Sequence, residues 1–185
     1  QDIELLSSQV ERCNAILKRL SLNPNEEDDF IDEDLSIKDY LKEIIISFKE
    51  TSKKDFILNT DQDLNSKKVT KSIEIVYGLR NFIGNANKFS KSKIFINLES
   101  NNEFTIITIE DDGDGFPNDI LSKIGEPYLR SIRTSNKEKM GLGLGLFIGK
   151  TLLEKNFATI NCQNSQTRSG AEIKIKWKNS DLFNL

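Results

Sequence analysis

The chain contains, in order, Leu79-Arg-Asn-Phe-Ile-Gly-Asn-Ala-Asn-Lys-Phe-Ser90, Glu110-Asp-Asp-Gly-Asp-Gly-Phe-Pro117 and Gly141-Leu-Gly-Leu-Gly-Leu146. The first segment lies in a helical pattern, the second follows a strand pattern, and the third precedes another helical pattern. Their order is more informative than any one of them, because each motif alone is common.

The first segment places three polar side chains on one helix face. Asn81, Asn85 and Lys88 are spaced by four and three residues, which aligns them along a helix. The amide oxygen of Asn85 suits a magnesium ion that already carries phosphate oxygens. Lys88 offers a positive charge to a phosphate. The alternative is that Asn81 and Asn85 are ordinary surface amides.

The second segment offers a carboxylate at the end of a strand. Asp111 would be costly to bury without strong hydrogen bonds, and the exocyclic amine of adenine is a suitable donor. Gly113 and Gly115 let the backbone turn sharply beside a base. A calcium loop is the alternative, but its ligand spacing is not met. We expect Asp112 and Asp114 to face solvent.

The third segment predicts a loop that wraps phosphates. Three glycines free its backbone, and the following helix directs its positive end at the same point. A dinucleotide-binding fold would need a strand immediately before the loop, and a protein-kinase glycine loop would lie near the start of a domain. The predicted phosphate-loop residues are Gly141, Leu142, Gly143, Leu144, Gly145 and Leu146.

The stretch before this loop predicts a flexible lid. Residues 130–140 are mostly polar, and Arg130, Arg133, Lys137 and Lys139 are candidates to close over a γ-phosphate. The sequence does not indicate which of them does so.

The three segments resemble the N, G1 and G2 boxes of the histidine-kinase ATP-binding domain. This domain has the Bergerat fold of gyrase-type and mismatch-repair ATPases, and the resemblance covers roughly residues 35–178. Ser8-Gln-Val-Glu-Arg-Cys-Asn-Ala-Ile-Leu-Lys-Arg-Leu-Ser21 and Gly125-Glu-Pro-Tyr128 resemble segments of RegB-type redox-responsive sensor kinases. In place of a phenylalanine-rich F box, Tyr128 would pack the lid; the alternative is that Tyr128 is an ordinary residue of the hydrophobic core. Ser169-Gly170 resembles the family's last glycine turn.

The resemblance implies ATP and Mg²⁺ as ligands, with Asn85 on the magnesium ion, Lys88 on phosphate and Asp111 on adenine. ATP-hydrolysing relatives carry a glutamate where this chain has Asn81, and an amide cannot deprotonate water efficiently. We therefore expect phosphoryl transfer to a histidine, then to a response regulator receiver domain. The chain contains no histidine, so the acceptor is expected upstream. The alternatives are a Bergerat-fold ATPase, a serine kinase, and a nucleotide-binding module without catalysis.

The first twenty residues predict a separate helix. Their apolar residues recur at spacings of three and four, which favours a seam against a partner helix over docking on the same domain. The resemblance implies a homodimer through this helix and a redox-responsive thiol at Cys13, although a packing residue is the alternative there. The seam consists of Ile3, Leu6, Val10, Cys13, Leu17 and Leu20.

We predict four segments: the end of a dimerisation helix at 1–22, an acidic linker at 23–34, the catalytic domain at 35–178 and a tail at 179–185. In the linker, seven of the nine residues from Glu26 to Asp34 are carboxylates, which favours solvation. The chain begins at Gln1 without a methionine, so we expect a fragment of a longer protein.

Composition excludes several classes of protein. A net charge of −3 with dispersed basic residues argues against a nucleic-acid surface. No apolar run is long enough to cross a bilayer, so we expect a cytoplasmic domain attached to a membrane only through segments outside this chain, in an inner-membrane sensor. We expect Cys13 and Cys162 to be reduced thiols.

The remaining patterns predict one α/β domain. We expect helices over 38–48, 72–89 and 144–154, a strand over 55–60, a hairpin of 93–100 and 104–110, and strands over 158–162 and 171–177. A hydrophobic content of 37% suffices for one core at this length. The predicted fold is a two-layer α/β sandwich with one sheet and one helical layer.

Overall fold

The computed structural model describes residues 35–61, 69, 72–121, 123–127 and 144–183. All of them belong to a compact unit, Asp34–Leu185. A second unit, Gln1–Glu33, lies outside the described residues, and so do the predicted dimerisation helix with Cys13 and the whole acidic linker. The predicted lid lies outside them as well.

Ten elements follow one another in the described part of the chain. The helices are α1 (Ile37–Lys49), α2 (Ile73–Phe89), α3 (Asn118–Leu121), α4 (Gly145–Lys155) and α5 (Asn179–Leu182). The strands are β1 (Asp55–Thr60), β2 (Lys93–Ser100), β3 (Phe104–Asp111), β4 (Thr159–Asn164) and β5 (Ala171–Lys178).

The five strands form one mixed sheet in the order β1-β2-β3-β5-β4. β1 runs parallel to β2, with Phe56 opposite Ile94. The other pairs are antiparallel, and Ile109 on β3 lies between Ile96 on β2 and Ile173 on β5. This arrangement makes β3 the central strand, so the residues that follow it emerge from the middle of the sheet edge.

One face of the sheet and the apolar faces of the helices share a single core. The strands alternate buried and more exposed side chains, as expected for a sheet covered on one side. Trp177 is fully buried, and its indole N–H donates to the carbonyl of Asn156 at 3.0 Å. The helical side of this core comes from Ile37, Tyr40, Leu41, Ile44, Ile45, Ile75, Leu79, Phe82, Ile83, Ala86 and Leu153.

Helices α2 and α4 approach each other closely because both carry glycine at the contact. A Cβ added at Gly78 would lie 2.5 Å from the side chain of Leu153, and one at Gly149 would lie 3.2 Å from the carbonyl oxygen of Gly78. Larger side chains would separate the helices. The contact fixes the C-terminal half of α2 beside the start of α4.

The predicted two-layer fold is confirmed, and the predicted elements differ from the observed ones by one or two residues at their ends, whereas the short helices α3 and α5 were not predicted. Ser36 and Ser72 cap α1 and α2, and their side chains accept hydrogen bonds from Asp39 and Ile75 amides. Leu182 in the predicted C-terminal tail is fully buried in the core. No helix among the described residues combines the length and the apolar character that a bilayer crossing requires.

Candidate functional site

The C-terminal half of α2 brings two asparagines to the same side of the helix. Asn81 is half-buried and donates from Nδ2 to the carbonyl of Tyr77, one turn earlier, at 2.8 Å. Asn85 has a buried Nδ2 atom that finds no hydrogen-bond partner among the described residues. An unsatisfied buried amide is costly, so Asn85 is the residue in this helix whose hydrogen bonding is incomplete.

Asn85 faces the first residue of α4. A Cβ added at Gly145 would lie 3.0 Å from Asn85 Nδ2 and 3.3 Å from its Oδ1. The residue before the helix, Leu144, offers no side-chain acceptor to the first-turn amides. The partial positive charge of a helix N-terminus is therefore left beside an unsatisfied amide.

Lys88 lies one turn beyond Asn85. Its ammonium group is 5.5 Å from the ring centroid of Phe89, and its side chain is half-buried. The end of the helix is fixed by Lys54, whose ammonium group donates to the carbonyls of Asn87 and Ser90. The position of Lys54 is favourable because carbonyl groups at a helix C-terminus carry partial negative charge.

Asp111 ends the central strand and is 3% exposed. Its Oδ1 accepts hydrogen bonds from the backbone amides of Gly113 at 2.8 Å and Ala171 at 3.3 Å. Among the described residues no group donates to Oδ2. Burial raises the pKa of the Asp111 carboxyl above its usual value, although the two amide hydrogen bonds and the charge of Lys54 oppose the rise.

Two glycines are required by the close packing around Asp111. A Cβ at Gly113 would lie 2.5 Å from the carbonyl oxygen of Phe89, and one at Gly170 would lie 1.9 Å from the carbonyl oxygen of Asp111. Both distances are far below a normal contact. The end of α2, the start of the second motif and the turn before β5 therefore meet at this carboxylate.

Gly115 needs its glycine for a different reason. Its φ of +74° lies in the left-handed region, which glycine adopts at no steric cost. The neighbouring residue Phe116 exchanges two hydrogen bonds with the side chain of Asn164, at 2.6 Å through its amide and 3.0 Å through its carbonyl. Asn164 thus fixes the backbone of the second motif.

Of the two aspartates expected to face solvent, Asp114 does so fully and Asp112 only in part. The side chain of Asp114 is 89% exposed and pairs with Lys91 at 2.7 Å. Asp112 is half-buried and accepts hydrogen bonds from the Ser92 hydroxyl at 2.6 Å and from the Lys91 amide at 2.8 Å. Burial opposes ionisation, but these hydrogen bonds hold the pKa of the Asp112 carboxyl well below its usual range.

Several predicted site residues lie outside the described residues, namely Tyr128, Arg130, Arg133, Gly141, Leu142 and Gly143. Leu144 is buried, and Leu146 packs against the core. Gly125 has a φ of +94°, and a Cβ there would lie 2.5 Å from the Lys150 side chain. The segment before the predicted lid therefore rests on α4.

Sequence reasoning missed the contacts that join distant segments. Gly170 was recognised only as a turn, and nothing in the sequence indicated that it meets Asp111. Asn164 and Lys54 carried no motif, because each acts on backbone groups rather than through a recurring pattern. Within the described part of the chain, no group of three or more cysteine or acidic side chains is arranged to hold a metal ion.

The described residues thus include a buried carboxylate with one oxygen that accepts no hydrogen bond from them, and an amide without a partner among them that lies beside a helix start without a side-chain cap. A family model described as "Histidine kinase-, DNA gyrase B-, and HSP90-like ATPase" matches residues 70–181. Sensor histidine kinase RegB of Cereibacter sphaeroides is 30% identical over 194 residues, which cover 95% of this chain and 42% of RegB. The chain thus spans less than half the length of this curated relative.

Solved structures agree on the fold. The mycobacterial sensor histidine kinase MprB has a TM-score of 0.65 at 18% identity, covering 80% of this chain and 97% of that one. The Acinetobacter baumannii histidine kinase AdeS has a TM-score of 0.59 at 25% identity, covering 95% and 79%. The similarity to RegB-type sensor kinases, first seen in short motifs, is confirmed along nearly the whole chain, and the chain belongs to the histidine kinase-, DNA gyrase B- and HSP90-like ATPase family.

Proposed function

We propose that this chain is the ATP-binding catalytic part of a sensor histidine kinase. It transfers the γ-phosphate of ATP to a histidine outside the chain, which passes it to a response regulator. The observation that carries the proposal is the unsatisfied Nδ2 of Asn85 beside Gly145 at the start of α4. An amide and an uncapped helix start, held together, suit an anion and its counterion.

Asp111 forms the base-binding end of the proposed pocket. Its Oδ1 is held by two backbone amides, so Oδ2 is oriented and can accept the exocyclic amine of adenine. Guanine carries an oxygen at the equivalent position, and two acceptors would repel each other. The proposal therefore includes a preference for adenine.

Asn85 forms the phosphate end, together with the α4 N-terminus and Lys88. The Asn85 oxygen is a neutral ligand that suits magnesium. Its nitrogen, which lacks a partner among the described residues, can donate to a phosphate oxygen. A bound magnesium ion would neutralise charge on the triphosphate. The α4 amides and the Lys88 ammonium group would contact phosphate oxygens directly, and Leu142 and Gly143 would continue this contact.

Asn81 favours a kinase over an ATPase. Its side chain donates to the Tyr77 carbonyl and has no atom basic enough to remove a proton from water. A protein acceptor would supply its own nucleophile, so the absence of a base at this position matters less for phosphoryl transfer. Intact Asn85 and Asp111 argue against a binding module without catalysis.

The similarity to RegB supports the remaining parts of the proposal. The chain would act as a homodimer through residues 1–22, joined by the 23–34 linker to a catalytic domain that begins at 35. It would lie in the cytoplasm, with any membrane attachment outside the chain. Cys13 would be its redox-responsive thiol.

Titration calorimetry with ATP, in the presence and absence of magnesium, tests the pocket. We expect binding that requires Asp111 and is strengthened by the ion. Equal affinities for ATP and GTP, or no binding of either, would refute the pocket.

A further inference from the structure

Glu110 is a buried carboxylate that the proposed pocket does not use. It is 7% exposed and immediately precedes Asp111 on β3. Consecutive strand residues point to opposite faces of a sheet, so Asp111 faces the helices while Glu110 lies on the other face, opposite Phe95 and Glu172. A carboxylate buried on the otherwise solvated face calls for a physical explanation.

Both carboxylates contact the same turn, residues 165–170, which we name the β4–β5 turn. The Ser165 amide donates to the Gly170 carbonyl at 2.8 Å and closes it. From the helix side, Asp111 packs against Gly170 and accepts a hydrogen bond from Ala171, the next residue. One of the two amides that orient Asp111 therefore depends on the position of this turn.

Glu110 contacts the turn from the opposite side. Its Oε1 accepts a hydrogen bond from the Ser165 hydroxyl at 2.8 Å. That hydroxyl oxygen in turn accepts from the amides of Thr167 at 3.2 Å and Arg168 at 3.1 Å. Through Ser165, Glu110 is connected to the backbone across the turn.

Arg168 completes the contact. Its Nε lies 3.3 Å from Oε2 of Glu110, and its guanidinium carbon is 3.7 Å from the ring centroid of Phe95. The turn also holds Ser169 at a φ of +64°, a conformation that non-glycine residues adopt only when their surroundings impose it. The Glu110 contacts are such surroundings.

We propose that Glu110 is a positioning residue for base recognition, which acts through Ser165, Arg168 and the β4–β5 turn to hold Asp111 in the orientation that accepts adenine. The inference rests on the proposed function, because Asp111 is the group positioned. When the turn is released, the Ala171 amide no longer fixes Oδ1, and the carboxylate can rotate about its side-chain torsions. Contacts at the phosphate end are unaffected.

The test uses Arg168→Met, which keeps an apolar stem over Phe95 and removes the ion pair. Because the Arg168 side chain is 35% exposed, we expect this variant to fold. Ser165→Ala serves as a second variant, and Glu172→Gln as the matched control. Glu172 lies directly opposite Glu110 on the same face, but among the described residues its side chain bonds only the exposed Gln163 side chain.

We expect Arg168→Met and Ser165→Ala to bind ATP several-fold more weakly and GTP unchanged, so that the ATP preference falls. Glu172→Gln should match wild type. In a chain that already carries Asp111→Asn, Arg168→Met should not weaken ATP binding further, because the effects of two substitutions that act through one group are not additive. Calorimetry on the full chain gives these affinities, and thermal unfolding of each variant measures stability separately.

The inference is overturned if the ratio of ATP affinity to GTP affinity is unchanged in both variants. It is also overturned if both nucleotides lose the same affinity and this loss persists in the Asp111→Asn background. The proposed function is tested separately, by the nucleotide preference of wild type and by the ATP affinity of Asp111→Asn. If wild type does not prefer ATP, or Asp111→Asn binds ATP normally, the proposed pocket fails and the positioning inference fails with it.

Discussion

Asn85 and Gly145 meet where the C-terminal half of α2 passes the start of α4, with only 3.0 Å between Asn85 Nδ2 and the position that a Cβ of residue 145 would occupy. The glycine contact between Gly78 and Gly149 sets this approach, because it lets the two helices pack closely. Two motifs separated by about 60 residues in sequence thus form one site. The following predictions concern that site.

Gly145→Ala should weaken magnesium-dependent ATP binding with little loss of stability. The new methyl group would press on the Asn85 amide, while alanine itself favours a helix. Gly84→Ala is the matched control, because its Cβ would meet only the Phe48 ring, at 3.3 Å. Calorimetry and thermal unfolding measure both effects. Wild-type affinity in Gly145→Ala would show that nothing binds between the two helices.

Asn85→Ala should remove most of the effect of magnesium on ATP affinity. The substitution deletes the oxygen proposed as the protein ligand of the ion. Asn87→Ala is the control, since Asn87 is an amide on the same helix whose side chain accepts a hydrogen bond from Ser52. Titrations at several magnesium concentrations decide the point. A wild-type metal response in Asn85→Ala would place the ion elsewhere.

Asp111→Asn should weaken ATP binding by roughly 1–3 kcal/mol, because a charged acceptor is replaced by a neutral one. Wild-type affinity should also fall on acidification. Burial raises the Asp111 pKa above 3.8, so protonation begins at a higher pH than usual and puts a donor against the adenine amine. The charge of Asp112 also raises the Asp111 pKa, so Asp112→Asn should move this profile to lower pH. A pH-independent wild type would contradict this assignment.

The raised pKa of Asp111 also predicts how the stability of the ligand-free chain depends on pH: stability should fall as the pH rises. A carboxyl group whose pKa is raised by folding contributes stability at pH values below its pKa in the unfolded state. This contribution is lost as the pH rises through its pKa in the folded state. The stability of Asp111→Asn relative to wild type should therefore be greater at neutral pH than at pH 4. Thermal unfolding at the two pH values measures the difference, and a constant difference would show that Asp111 is not desolvated.

The redox prediction concerns Cys13, which lies outside the described residues. In the longer, dimeric protein that we propose, oxidation should lower autophosphorylation, and Cys13→Ser should abolish this response without changing ATP affinity. Cys162→Ser should leave the response intact, because burial raises the pKa of the Cys162 thiol to about 11 and keeps it protonated. Kinase activity across a range of redox potentials measures both. Equal redox sensitivity in wild type and Cys13→Ser would leave Cys13 as a packing residue.

The sequence predicted the elements well because their signals are local. Alternating apolar residues marked β2 and β3, and Asn101 closes their hairpin as expected by accepting amide hydrogen bonds from Glu103 and Phe104, each at 2.8 Å. The end of β4 at Asn164 was missed, because polar residues at a sheet edge carry no periodic signal.

The site was only partly predictable for a related reason. Motifs named Asn85, Asp111 and Gly145, but the groups that hold them come from segments distant in sequence. Asp112 was expected in solvent, and its link to Ser92 depends on a strand register that composition does not reveal. Gly170 likewise owes its importance to a neighbour about 60 residues away.

The most direct test of the account separates phosphoryl transfer from hydrolysis. ATP labelled at the γ-phosphate is given to this chain and to the longer protein that we propose carries the acceptor histidine upstream. We predict that the chain releases phosphate very slowly and remains unlabelled, whereas the longer protein acquires acid-labile, base-stable label that Asn85→Ala abolishes. Rapid steady phosphate release by the chain, with no label on the longer protein, would contradict the account.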